Sequence, residues 1–420
     1  MIHRRLLAAA TLVVGALVAQ AGLASPAHAA GPRYASPTGT SAQNCLTAAT
    51  ACNIEKAFSG STSSNDEIIL AAGTYMTATV LSRTQSGVNV HGTPGQPRPV
   101  LVSTASMALS LSGTGSKVSD LVIRHEGSQY ALNLFAKATS VQRVDVRTTS
   151  DNAVACSPGI TGLIRDSLCV ATGANGIALD NSYGGDSGGT LTVRNVTAVA
   201  TGAGSYGIRA DSLANASNLV VNLRNVIASG VAADLRATED PTNSESTIAA
   251  LNSNYDTAFV SGGGAATGAG TSTNQKTAPV FADASFHQGP GSPTINAGAV
   301  DTSTGTADID GEPRPYQGAM DIGADEFYPD VTPPETILVK APKARTHKRR
   351  AVFAFTASEP SSFLCKLDKK PQAPCTSPYK KRLKRFGKHT MTITAVDASG
   401  NVDPTPVAHI WKLKKKRRHR

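Results

Sequence analysis

Short stretches of alternating apolar and polar residues return at near-regular intervals between Lys117 and Ala237, and this constrains the fold more than any other feature. One set begins at Leu121, Val144, Ser167, Val196 and Val226, with steps of 23, 23, 29 and 30 residues. Each is followed two positions later by Ile123, Val146, Cys169, Ala198 and Ala228. A second set aligns Leu132, Val154, Ile177 and Ile208, followed by Leu134, Cys156, Leu179 and Ala210. Alternation with period two places one face of each strand inward. Gly, Asn, Ser and Thr between the strands suit turns. No segment between them has the apolar period of a crossover helix, so a βαβ array is excluded. Stacked turns of a parallel coil accommodate the pattern, with each turn completing the hydrogen bonding of the last. An antiparallel sandwich is the second choice, disfavoured because hairpin signals at 8 to 12 residue intervals do not dominate.

Composition agrees with an all-β chain. Among 420 residues there are 38 Gly, 23 Pro and few aromatics, a profile poor for helical bundles. Charge is unevenly divided: residues 331 to 420 carry 22 Lys and Arg against 5 Asp and Glu, net +17, leaving 18 against 25, net −7, in residues 1 to 330. The two halves are therefore expected to meet different partners. The first 30 residues read as a signal peptide: Arg4 and Arg5, an apolar run from Leu6, then Ala27-His28-Ala29 as a cleavage site. A secreted, extracellular or cell-surface location follows, with no transmembrane anchor expected in the mature protein. In that setting the six cysteines fall into near-neighbour couples, Cys45 with Cys52, Cys156 with Cys169 and Cys365 with Cys375, which are read as disulfides. For Cys156 and Cys169, two inert buried thiols remain an alternative, since both positions point inward.

Several stretches resemble known families. Ile68-Ile69-Leu70-Ala71-Ala72-Gly73-Thr74-Tyr75, after Cys52-Asn53-Ile54, looks like the opening turns of pectin-lyase-like right-handed parallel β-helix proteins. Pro279-Val280-Phe281, Phe286-His287, Ser292-Pro293-Thr294-Ile295-Asn296-Ala297-Gly298, Asp308-Ile309-Asp310-Gly311-Glu312-Pro313-Arg314-Pro315 and Asp321-Ile322-Gly323-Ala324-Asp325-Glu326 resemble the terminal segment of choice-of-anchor Q domain proteins. The resemblance implies a coil over residues 31 to 328 and a surface location, and it implies no reaction. Beyond Asp330, Thr332-Pro333-Pro334-Glu335-Thr336, Phe353-Ala354-Phe355, Phe363-Leu364-Cys365, Ala373-Pro374-Cys375 and Val396-Asp397-Ala398-Ser399-Gly400-Asn401 resemble bacterial immunoglobulin-like repeats. Short alternating strands such as Met391 to Val396 agree with a small β-sandwich over residues 329 to 413, followed by a basic tail, 414 to 420. This module departs from its relatives in charge.

Its cations, Lys380, Lys381, Arg382, Lys384 and Arg385, together with Lys414, Lys415, Lys416, Arg417 and Arg418 in the tail, are the candidate contacts for an anionic cell-wall polymer. Aromatics are too sparse among them for a base-stacking platform, so specific nucleic-acid recognition is not expected. On the coil, the second-strand alignment puts Phe135, Ser157, Asp180 and Asp211 in one outward column, with Arg209 facing the same way. Two neighbouring carboxylates beside an arginine suit a glycosidase pair, or a calcium site as in a polysaccharide lyase. The competing reading is turn chemistry, given Asp180-Asn181 and Asp211-Ser212. Arg124 and Arg147, beside His125, are candidates to bind an acidic sugar, and Asp120, Arg143 and Asp166 form a prospective salt-linked ladder, directed outward with Asn195. The nine histidines show no metal-ligand spacing, and no cofactor is implied beyond that calcium. The favoured function is a non-catalytic surface protein that binds polysaccharide, with a polysaccharide lyase or glycoside hydrolase as the alternative.

Overall fold

A computed structural model describes residues 31–184, 188–213, 218–238, 245–262, 265–267 and 273–415. The chain divides into two compact units, Met1–Glu326 and Phe327–Arg420.

The first unit is a parallel β-helix. Two sheets, of 12 and 9 strands among the described residues, run along it, and their strands pair in parallel from turn to turn. In the first sheet, Lys117–His125, Thr139–Thr148, Gly162–Ala171, Gly189–Ala200 and Leu219–Ser229 stack side by side. Leu121 pairs with Val144, Ser167 with Val196, and Val196 with Val226, which is the expected register. The inward columns are fully buried, and stacking them gives one continuous apolar interior. Helix Ile54–Gly60, capped by Asn53 accepting from the Lys56 N–H, adds Ile54, Ala57 and Phe58 to that interior at its N-terminal end. The Cys45–Cys52 disulfide ties down the loop before it.

Cys156 and Cys169 are bonded, with Cα atoms 5.9 Å apart, joining the second sheet to the first through the interior. Closing a loop of this length contributes roughly 3 kcal/mol by restricting the unfolded chain.

The second sheet departs from its expected register. Val154 pairs with Ile177 as aligned, but Leu132 pairs with Cys156 and Leu179 with Ile208, a slip of two residues at both ends. Period-two alternation permits this, because a shift of two keeps the same face inward.

Each long strand of the first sheet bends at one residue with positive φ: Asp120, Arg143, Asp166, Asn195, Asn225 and, one turn on, Asn252, all between 47° and 56°. Asp and Asn tolerate this left-handed conformation because their side chains bond locally. Arg143 is the exception, and it is held bidentately by Asp120 in the turn before. The column continues by side-chain hydrogen bonds: the Asn195 amide donates to Asp166, and that of Asn225 donates to Asn195. Of the expected salt-linked ladder only the Asp120–Arg143 step forms, because Asp166 turns to Asn195 and Arg314 instead of Arg143.

Asn195 points away from the interior yet is completely buried. The cause is the stretch 279–326, which folds back across the outer side of the first sheet. Arg314 donates to Asp166, and Asn225 exchanges hydrogen bonds with Ala299. Arg194 pairs with Asp301, and Ala324 N–H donates to Thr197. Ile309, Ala324 and Phe286 pack on Leu168 and Val170, making a small second core. Within Asp321-Ile322-Gly323-Ala324-Asp325, Gly323 has φ +119°, and a Cβ there would lie 2.8 Å from Ile227. Only glycine allows the segment to come so close.

The second unit has a three-stranded sheet, Thr336–Lys340, Arg350–Ala357 and Tyr379–Arg382, and a five-stranded sheet that includes Ser361–Leu367, Gly387–Asp397 and Val407–Leu413. Both contribute to one core around Phe353, Phe355, Met391, Ile393 and Trp411. The Cys365–Cys375 disulfide links adjacent strands of the larger sheet.

Candidate functional site

A groove of about 440 Å³ lies along the outer side of the second sheet. Its floor is a column contributed by successive turns, Tyr130, Val154, Ile177 and Tyr206, in which each residue pairs with the next; Val154 and Ile177, which the alternation set inward with Leu132 and Ile208, line this groove instead and do not join the apolar interior. Turns are about 4.8 Å apart, so the two tyrosines stand roughly 14 Å from one another with aliphatic side chains between them. Ser128, Gln129, Asn152 and Asn175 provide neutral hydrogen-bonding groups on its lining. A smaller recess of about 140 Å³ shares Tyr130 and adds the exposed Phe135.

Arg209 and Arg236 form the opposite side. Their column is Asp180, Arg209, Arg236 and Phe259, because the two-residue slip sets Arg209 rather than Asp211 beside Asp180. Arg209 donates to both oxygens of Asp180, at 2.9 and 3.0 Å, and lies 3.8 Å from Asp211. Arg236 donates to Asp211 at 3.1 Å and to the Tyr206 hydroxyl at 3.0 Å, and packs over the Tyr206 ring. Asp180 also accepts from Ser182, and Asp211 from Thr238. Both carboxylates are almost fully buried. Two cations and two anions thus compensate one another, which leaves a polar wall of little net charge. Burial pushes the Tyr130 hydroxyl pKa up, and the Asp180 charge adds to the effect, so Tyr130 remains a hydrogen-bond donor.

Arg124 and Arg147 are cross-strand neighbours and both bond to Asp145, at 2.7 and 2.9 Å. Burial raises the Asp145 pKa, but the hydrogen bonds and charges of the two arginines outweigh it and hold the carboxyl below its usual value. Arg147 also donates to the Ala284 carbonyl and lies over Phe286, both in the returning segment. His125 faces the interior and is 1% exposed; burial lowers its pKa. Its place in the buried parity of its strand is why it does not join the two arginines at the surface.

Residues of the returning segment form a cluster that sequence spacing did not reveal. His287, Asp310 and Asp325 each offer a ligand atom within 4.8 Å of the others. They are 23 and 15 positions apart and meet only because the segment doubles back. His287 Nδ1 lies 2.6 Å from Asp283, and Nε2 lies 2.9 Å from Asp310. Asp310 also pairs with Arg98. Burial pushes Asp325 up to about 7, with Asp308 and Asp310 adding to the shift against a hydrogen bond from the Gln288 N–H.

In the second unit, Arg349, Arg350, Lys380, Lys381 and Arg382 line a cleft of about 440 Å³. Antiparallel pairing sets Arg350 opposite Arg382 and Val352 opposite Lys380. None of the five is ion-paired among the described residues. Arg349 and Arg350 were not singled out from sequence, although the run Lys348-Arg349-Arg350 was there to be noticed. The backbone carbonyl of Arg385 accepts from His389, while Lys384 is exposed. Lys415 lies over Phe386 and Lys414 is exposed; Lys416, Arg417 and Arg418 are outside the described residues, as is the signal peptide reading of residues 1 to 30. No helix among the described residues is long and apolar enough to cross a membrane.

No family model matches the chain, and no curated protein matches it. Among solved structures, the crystal structure of pectate lyase Pel9A is similar at 13% identity, covering 71% of this chain and 96% of that one, with a TM-score of 0.38. At that level of agreement the coil is defined by its own strand pairing. The chain is an all-β protein whose first unit is a parallel β-helix and whose second packs two sheets about one core.

Proposed function

We propose that this is an exported surface protein whose coil binds a polysaccharide along the Tyr130 to Arg236 groove and whose basic second unit holds it on an anionic polymer. The observation that carries the reading is the groove itself: ring faces and aliphatic floor on one side, paired Arg and Asp with amide groups on the other. Sugars offer both an apolar face and hydroxyls, and such a surface matches them without a net charge. In this reading the coil is right-handed, of the choice-of-anchor Q kind suggested by its terminal motifs, and the second unit is immunoglobulin-like.

Binding rather than catalysis is favoured because Asp180 is committed to Arg209 and Ser182, and Asp211 to Arg236 and Thr238. A general acid or nucleophile needs a carboxyl free to exchange a proton or attack. Incubation of the purified protein with a panel of neutral and acidic polysaccharides tests the proposal, following retention together with unsaturated products and reducing ends. Retention of at least one neutral or weakly charged glycan without product, weakened about tenfold by Tyr206→Ala, is expected. Turnover abolished by Asp180→Asn would replace this reading with an enzyme, and failure to retain any glycan would remove it.

A further inference from the structure

We propose that His287, Asp310 and Asp325 bind a divalent transition-metal ion that fastens the returning segment into its fold. The inference is independent of glycan binding.

The imidazole of His287 lies between two carboxylates, Asp283 on Nδ1 and Asp310 on Nε2. A neutral ring carries one N–H and can serve only one of them. The other nitrogen then directs a lone pair at a carboxylate oxygen, an arrangement that needs a positive charge between the two atoms. A second proton on the ring supplies one. It leaves Asp325 without a donor on its second oxygen, however. That carboxyl is 7% exposed, its single hydrogen bond comes from the Gln288 N–H to Oδ2, and no donor reaches Oδ1 among the described residues.

Asp308 does not help, because its oxygens already accept the N–H groups of Asp310, Glu312 and Glu326. One dication set among His287 Nε2, an Asp310 oxygen and Asp325 satisfies all three residues at once. Asp283 then becomes the outer carboxylate on Nδ1–H that fixes the tautomer and aims Nε2, as is usual for metal-bound histidine.

The donor set decides the metal class. Calcium takes six to eight oxygens, whereas one imidazole with two carboxylates suits zinc or a similar transition ion, with solvent completing its coordination. The consequence is mechanical. His287, Asp310 and Asp325 come from three separate stretches of the segment, and Asp310 is also tied to Arg98 of an early coil turn. Asp325 precedes Glu326, which pairs with the buried Arg314.

The test is calorimetric titration of the metal-stripped full chain with zinc and with calcium, together with thermal melts. One equivalent of zinc should bind, calcium should not compete, and the melting temperature should rise by several degrees at a hundredfold excess over Kd. His287→Gln and Asp310→Asn should each abolish that equivalent, and Asp283→Asn should weaken it about 10 to 100-fold. The proposal is overturned if no saturable zinc binding occurs below about 1 mM, or if His287→Gln binds like the parent. It is equally overturned if melting responds to acid alone, the signature of an imidazolium clamp. Should the variants not fold, cobalt bound to the parent chain gives a visible spectrum that zinc must displace stoichiometrically, and its absence counts against the site.

Discussion

Along the coil groove Arg209 is gripped by Asp180 and Arg236 by Asp211, whereas in the second unit Arg349, Arg350, Lys380, Lys381 and Arg382 crowd one cleft with no carboxylate among their contacts. The same residue types thus serve opposite ends. Paired and largely buried, they become a rigid wall of hydrogen-bonding groups with little long-range field. Without carboxylate partners, they repel one another, and that repulsion is relieved when an anion arrives. The first arrangement selects by shape and hydrogen bonding, the second by charge.

Salt should separate the two most widely. With about five cations engaged, binding of the second unit to a phosphate-spaced polyanion should fall on the order of 10⁴-fold between 0.1 and 1 M salt. Glycan retention by the coil should change by less than about twofold. A co-sedimentation series at increasing salt measures both, and parallel losses would erase the distinction. Stability comes next. Asp180→Ala strands the Arg209 guanidinium in a mostly buried place and should cost about 3 kcal/mol in urea unfolding. Lys381→Ala should lie within about 0.5 kcal/mol of the parent; a large loss there would mean that the cleft cations are structural.

Tyr206→Ala should weaken glycan binding about tenfold, or roughly 1.4 kcal/mol, without altering polyanion binding. Equal effects on both would place the two ligands in one site. The smallest effect concerns acid. Arg124 and Arg147 hold the Asp145 carboxyl below its usual value against the opposing effect of burial. Its stabilising contribution is complete above the unfolded carboxylate pKa of about 4 and disappears as pH falls through the lower folded value. Thermal melts between pH 5 and pH 2 should therefore show a modest loss in the coil that Asp145→Asn removes. Polyanion binding by the cleft, which has no carboxylate to protonate, should not follow that curve.

The apolar columns from Leu121 to Val226 were legible because a strand's side chains alternate and a coil repeats itself, so local pattern and global fold carry the same signal. The disulfide couples were legible for a related reason, since their short spacings already place the partners near one another. The pairing of Asp180 was not legible. A slip of two residues preserves every apolar position, and nothing in the alternation distinguishes Asp211 from Arg209 as its neighbour.

Nor could local pattern foresee that Asn195 would be covered, that Arg147 would meet Ala284, or that His287, Asp310 and Asp325 would converge. Those outcomes depend on where the irregular segment 279–326 lies. Such a segment has no period to read, and its course is decided by contacts such as Arg314 with Asp166 and Asn225 with Ala299, between residues 148 and 74 positions apart. The sequence by itself determined the repeating strands, their inward faces, the disulfide couples and the division of charge, because each is written in neighbouring residues or a constant interval. The partners of individual polar side chains were decided only by the tertiary structure, because burial obliges each polar group to bond to whatever the fold brings beside it.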